Sequence, residues 1–111
     1  MDELEAEEQA EPTLSVEVSI QDEATVFVRL AGELDMSNTE ELEAQVAHAL
    51  ESSPQRIVVE AQGLEFADSS AIALWVRWAA LVDHMELRNP SPLIRRVLTA
   101  MGLDATLELS P

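Results

Sequence analysis

Asp68, Ser69 and Ser70 stand in a row where a polar break interrupts an apolar stretch, and a second acid, Asp35, closes an earlier Gly32-Glu33-Leu34-Asp35 run. The pattern after Ser70 is helical, which places Ser70 in the first turn of a helix. Backbone amides there lack partners, and the helix dipole favours negative charge. A phosphoryl group on Ser70 would be tolerated at that place and would add roughly −1.5 to −2 charge. Asp68 and Ser69 are also the residue types that cap a helix by accepting from its first amides. Asp35 and Asp68 both follow strand-like runs, and ligand crevices of open parallel sheets lie at the carboxyl ends of strands. Two acids brought near Ser70 can orient its hydroxyl or a magnesium ion. Each can equally satisfy nearby backbone amides. His48 and His84 are the only histidines, and cysteine is absent. Neither histidine has a partner at metal-ligand spacing, and no glycine-rich phosphate loop occurs. An enzyme built on Glu33, Asp35 and Asp68 is the reading these features disfavour, so no catalytic residue, metal or cofactor is expected.

The elements that must position these residues follow from periodicity. Leu14, Val16, Val18 and Ile20 alternate with Ser15, Glu17 and Ser19, the period of a strand with one wet face. Residues 24–31 form a nearly continuous apolar strand after the polar Gln21-Asp22-Glu23 turn, and the two strands predict a hairpin. Ser37 with Glu40 makes a capping box, and the helix behind it places Leu42, Val46, Ala49 and Leu50 on one face. Ser52-Ser53-Pro54 ends that helix, and Ile57-Val58-Val59 is a short buried strand. A helix runs from about residue 69 to 82, then a short strand over residues 85–88. Ser91 is the next helix cap with Pro92 at the first helical position. Leu93, Val97, Leu98 and Met101 line that helix, Gly102 stops it, and residues 103–109 add a final edge strand. The order β-β-α-β-α-β-α demands right-handed crossovers and a parallel core sheet, with the first strand antiparallel to the second.

Composition bounds the rest. The chain has 111 residues, the size of one domain, and its 47% apolar content suits a globular one. Six acids fall in the first eleven residues, so residues 1–12 read as a disordered acidic tail and residues 13–111 as the domain. Against 22 acids stand six arginines and no lysine, for a net charge of −16. Such a surface repels nucleic-acid phosphates and anionic lipid, so direct nucleic-acid binding is not expected. It suits a partner with a basic face, and it also serves plain solubility. No apolar run approaches the ~20 residues of a membrane span, and the acidic N-terminus is unlike a signal or transit peptide. The expectation is no membrane insertion and a cytoplasmic location.

Three segments now fall into one pattern. Gly32-Glu33-Leu34-Asp35, then Leu64-Glu65-Phe66-Ala67-Asp68-Ser69-Ser70, then Asn89-Pro90-Ser91-Pro92 through Met101-Gly102-Leu103-Asp104 resemble the STAS domain family in order and spacing. The resemblance covers roughly Leu14 to Leu109, and the middle segment resembles the family's Asp-Ser-Ser-Gly motif. It implies an α/β fold, a mixed, mostly parallel sheet of four to five strands covered by three helices. It also implies a bacterial anti-sigma factor antagonist, a transcription regulator that binds a kinase-type anti-sigma factor and so releases a sigma factor. In that family the kinase phosphorylates the second serine of the motif, which is Ser70 here. Phosphorylation breaks the complex, and a phosphatase restores it. The chain departs at Ala71, where the family has glycine, and the stretch from Ser70 to Asn89 is about one helical turn shorter than usual. Ala71 raises the alternative of an accessory STAS subunit of a transporter or signalling complex, bound to its partner without phosphate control.

The partner surface is expected to include Asp35, Asp68, Ser69, Ser70, Ala71 and Trp75. From Ala71 to Val82 only Arg77 is charged. Ile72, Trp75 or Val76, and Ala79 make one apolar stripe, and Leu74, Trp78 and Leu81 a second. One stripe suffices to cover a sheet, so the second is either covered by neighbouring helices or offered to a partner. Tryptophan is a common interface anchor. The expectation is that at least one of Trp75 and Trp78 is largely exposed.

Overall fold

Strand β1 (Leu14–Asp22) and strand β2 (Thr25–Leu34) pair antiparallel, with Val16 opposite Leu30 and Val18 opposite Val28. The computed structural model describes residues 13–111, and the tail expected at residues 1–12 lies outside the described residues. The hairpin turn is tight: Asp22 Oδ1 accepts from the Ala24 amide at 2.8 Å. Helix α1 (Thr39–Leu50) leads to β3 (Arg56–Ala67), helix α2 (Ser69–Ala79) to β4 (His84–Arg88), and helix α3 (Pro92–Ala100) to β5 (Glu108–Ser110). The five strands stand in the sheet in chain order, and every pair after the first is parallel. Parallel crossovers are right-handed. Three of them advancing in one direction put all three helices on the same face.

That face is the core. Val26, Val28 and Leu30 of β2, Ile57 and Val59 of β3, and Met85 and Leu87 of β4 meet helix side chains in one buried cluster. Leu42 and Val46 come from α1, Leu74, Trp75 and Trp78 from α2, and Ile94 and Leu98 from α3. The opposite face carries charge, and the charges pair both across and along strands. Glu86 of β4 accepts from Arg56 at 3.3 Å and from Arg88 at 3.0 Å. The Arg88 hydrogen bond, ahead of the Ser110 hydroxyl, holds the Glu86 carboxyl below its ordinary value against partial burial.

Both tryptophans are buried, Trp75 at 0% and Trp78 at 1% exposure, which corrects the expected exposed anchor. The reason is the place of α2. It lies over β3 and β4 with α1 packed along its flank, so both indole rings are covered. Neither indole N–H finds an acceptor among the described residues. Each unpaired group costs about 1–3 kcal/mol, which the burial of two large rings outweighs.

Strand β3 runs well past the expected Ile57-Val58-Val59. Its register against β2 shifts between Arg29 and Ala31 and again between Gly32 and Glu33, with an extra residue on β3 each time. Each bulge breaks the alternation, so Ala61 and Leu64 are both buried although they are an odd number of residues apart. The last strand is correspondingly shorter than expected, Glu108–Ser110, because turns occupy residues 104–107. Helix α3 begins as its sequence directs: Ser91 Oγ accepts from the Ile94 amide at 3.2 Å, and Gly102 follows the helix end at φ +75°.

Candidate functional site

The bulged end of β3 delivers Asp68 to the top of the sheet, beside the loop that leaves β2. Asp68 sits at the N-cap of α2 in extended backbone. Its Oδ1 accepts from the Ser70 amide at 2.9 Å, the Ala71 amide at 3.3 Å and the Ser70 hydroxyl at 2.5 Å. Its Oδ2 accepts from the Met36 amide at 3.2 Å, across to the other loop. The Asp68 amide donates to the Leu34 carbonyl at 3.2 Å, so the two loops are cross-linked twice. The Ser70 hydroxyl is the largest cause holding the Asp68 carboxyl below its ordinary value. Partial desolvation opposes it, and the Ala71, Ser70 and Met36 amides add to it.

Asp35 organises its own loop rather than touching Ser70. Its Oδ1 accepts from the Ser37 amide at 2.9 Å and from the Ser37 hydroxyl at 2.5 Å. Its amide donates to Asn38 Oδ1 at 3.0 Å, while Asn38 Nδ2 donates to the Glu33 carbonyl at 2.9 Å. The expected Ser37 capping box therefore does not form. Asp35 captures the Ser37 hydroxyl, α1 starts at Thr39, and Asn38 at its N-cap makes no side-chain cap bond. The approach to this loop depends on Gly32. It has φ +104°, and a Cβ there would lie 2.1 Å from the Thr13 carbonyl oxygen. The Glu33 amide donates to that same carbonyl at 2.7 Å.

The two loops thus bring Asp35, Met36, Asp68, Ser69 and Ser70 together at the carboxyl ends of β2 and β3. Ser69 is exposed and Ser70 half-buried. Two expected partner-binding residues are not part of this surface. Trp75 lies in the core, and Ala71 is 0% exposed, because the first turn of α2 directs it onto the sheet. A methyl group at Ala71 in place of the family glycine is therefore spent on packing rather than presented outward. His48 pairs with Glu51 at 3.3 Å and His84 with Glu108 at 2.9 Å, both remote from the site in the register of the sheet. Among the described residues no three His, Cys, Asp or Glu side chains converge as a metal site would require. No helix among them is long and apolar enough to cross a membrane.

Beside Ser69 lies an apolar surface that the sequence reading misplaced. Leu93 and Met101 are 65% and 57% exposed, Phe66 49% and Val97 39%. Leu93, Val97, Leu98 and Met101 are the residues expected to line α3, and of the four only Leu98 is buried. The structure gives the core face to Ile94 and Leu98. The signal was present: a nine-residue helix with four large apolar side chains, and Met101 at its C-cap, carries more than one face can bury.

A family model described as "Mlab, STAS domain" matches residues 16–109. A curated protein of Lysinibacillus sphaericus named anti-sigma F factor antagonist is 35% identical over 94 residues, which is 76% of this chain and 80% of that protein. Among solved structures, an anti-sigma factor antagonist from Mycobacterium paratuberculosis shares the fold. Its TM-score is 0.78 at 24% identity, over 88% of this chain and 86% of the other. The anti-sigma factor antagonist SpoIIAA in its unphosphorylated form superposes with TM-score 0.75 at 26% identity, over 87% and 89% of the two chains. The Bacillus cell fate determinant SpoIIAA in the phosphorylated form superposes with TM-score 0.70, also at 26% identity, over 87% and 92%.

Proposed function

The chain belongs to the STAS domain family, and from that premise we propose that it is an anti-sigma factor antagonist that binds a kinase-type anti-sigma factor and releases a sigma factor. The observation that carries this reading is the Asp68-Ser69-Ser70 turn at the head of α2, cross-linked to the Asp35-Met36 loop. It is a binding regulator, not an enzyme, and it works in the cytoplasm, where sigma factors act. Asp35, Asp68, Ser69 and Ser70 form the face presented to the partner.

Ser70 is the phosphoacceptor in this reading. Its hydroxyl proton is already directed to Asp68 Oδ1, which leaves the oxygen lone pairs for the incoming phosphorus. The head of α2 accommodates the product, because the helix dipole there favours negative charge. The complex does not. A phosphate adds roughly −1.5 to −2 charge to a surface the kinase must desolvate, beside the Asp68 carboxylate. A phosphatase then restores the binding form.

The test is to incubate the chain with its anti-sigma kinase and magnesium ATP, locate phosphate by mass spectrometry, and compare binding of Ser70→Ala and Ser70→Asp. Phosphate on Ser70 and not Ser69, with Ser70→Asp bound at least about tenfold more weakly than Ser70→Ala, is the expected result. One feature favours a second reading, an accessory STAS subunit without phosphate control: the half-buried Ser70 hydroxyl is already engaged by Asp68. Equal affinity of both variants for a transporter or signalling partner, with no phosphate on Ser70, would decide for it.

A further inference from the structure

The three helices do not close the layer evenly. α2 packs on α1, β3 and β4, but between α2 and α3 a groove remains open. One part is lined by Phe66, Leu93 and Val97 over the end of β3, the other by Ser69, Val76 and Met101, and the two parts share Ala67, Ile72 and Val97. Four of its apolar side chains, Phe66, Leu93, Val97 and Met101, are among the seven large hydrophobics exposed among the described residues. Leu93, Val97 and Met101 succeed one another at four-residue spacing along α3, a ridge about 12 Å long at 1.5 Å per residue. The small residues Ala67 and Ala73 also line the groove. Two helices side by side with an apolar trough between them present the ridges and grooves that receive a third helix.

We propose that this groove seats an amphipathic helix of the anti-sigma kinase, about two turns long, with an apolar ridge and a basic flank. This rests on the reading of the chain as an anti-sigma factor antagonist and assigns the contact beside its switch. The groove is continuous with the candidate site, since Asp68 and Ser69 form its wall. Charge selects the flank. Glu65 and Asp68 line the groove close in sequence to Ser69, while Arg77, which also lines it, is held by Glu43 of α1 at 3.2 Å. Lysine or arginine on the incoming helix meets the two acids in a chain of net charge −16. A second copy of this chain is disfavoured as the occupant, because two surfaces of that charge repel. The seat also places the partner helix against Ser69, so a phosphate on the adjoining Ser70 lies next to the edge of a dry contact.

The experiment measures affinity for each purified anti-sigma kinase of the host genome, using the wild-type chain, Leu93→Ser/Val97→Ser, and Leu81→Ser as control. Leu81 is as exposed as Leu93 but lines the far side of α2, toward α1. The expected result is at least about 30-fold weaker binding by the double variant, with its circular dichroism unchanged, and a change under about twofold for Leu81→Ser. Hydrogen exchange on the kinase should show protection confined to a helical segment with basic residues, and the double variant should abolish it. Wild-type affinity in the double variant, alongside a normal Ser70→Asp loss, overturns the groove and leaves the antagonist reading standing. Protection of a loop or strand overturns the helix as occupant, and a wild-type dimer that the double variant dissolves assigns the groove to a second copy. Failure of the wild-type chain to bind any of the kinases overturns the antagonist reading and this inference with it.

Discussion

Helices α2 and α3 are built from similar stock and meet opposite fates. Each follows a parallel strand, each opens on a side-chain cap, and each has more large apolar residues than one stripe on the sheet requires. In α2 the two largest side chains, Trp75 and Trp78, are sealed between the sheet and α1. In α3, Ile94 and Leu98 face inward while Leu93, Val97 and Met101 stay in water. The difference comes from position in the layer. α2 is the middle of three helices and has a neighbour on its α1 flank, whereas α3 lies at the end of the row above β4 and β5. Hydrophobicity along a helix reports how much surface has to be covered. The supplier of the cover, whether the same chain or a partner, is set by topology.

The comparison breaks most visibly in folding stability. Trp75→Ala should cost about 3–5 kcal/mol in denaturant unfolding, the range for deleting a buried aromatic side chain. A loss under about 1 kcal/mol would mean that the ring is not a core element. The caps sharpen the comparison further. α2 is capped by a carboxylate, Asp68, and α3 by a hydroxyl, Ser91, and Asp68→Ala and Ser91→Ala should each cost about 0.5–2 kcal/mol at neutral pH. Only the first cost should depend on pH. The Asp68 carboxyl is held below its ordinary value, so its contribution is complete above the unfolded-state value and is lost as pH falls through the lower folded-state value. Below about pH 4 the stability gap between wild type and Asp68→Ala should therefore shrink, while the gap to Ser91→Ala stays constant. Parallel curves for both variants would show that Asp68 is not the titrating cap. The smallest effect belongs to α3's outer stripe. Leu93→Ala should change stability by no more than about 0.5 kcal/mol, and a loss above about 2 kcal/mol would place it in the core.

The sequence made legible whatever is written in short-range chemistry. The alternation from Leu14 to Val18, which fails at the exposed Ile20, the Asp68 cap, the Ser91-Pro92 opening and the Gly102 stop each depend on neighbours a few residues away. The same locality explains the misses. The bulges of β3 answer to cross-strand register against Ala31 and Glu33, which no local period carries. Ser37 belongs to a capping box by spacing, yet Asp35, two residues upstream, takes its hydroxyl. That Asp35 and Asp68 are neighbours was legible because each follows a strand of one parallel sheet. The bond from the Met36 amide to Asp68 could not be read, because it needs the two loops at a definite separation. The fates of Trp75 and Leu93 required the packing of helices distant in sequence.

The double tie between the loops after β2 and β3 also bears on the thermodynamics of recognition. A surface loop that is free to explore conformations must give up that freedom when a partner seats on it, and each ordered segment subtracts from affinity. Here the Asp68 amide holds the Leu34 carbonyl, and the Asp68 carboxylate holds the Met36 amide. The two loops are thereby restrained as one body before any partner arrives. A protein that docks against Ser69 finds the Asp35 loop already in place, so the association carries the ordering cost of one rigid platform instead of two mobile segments.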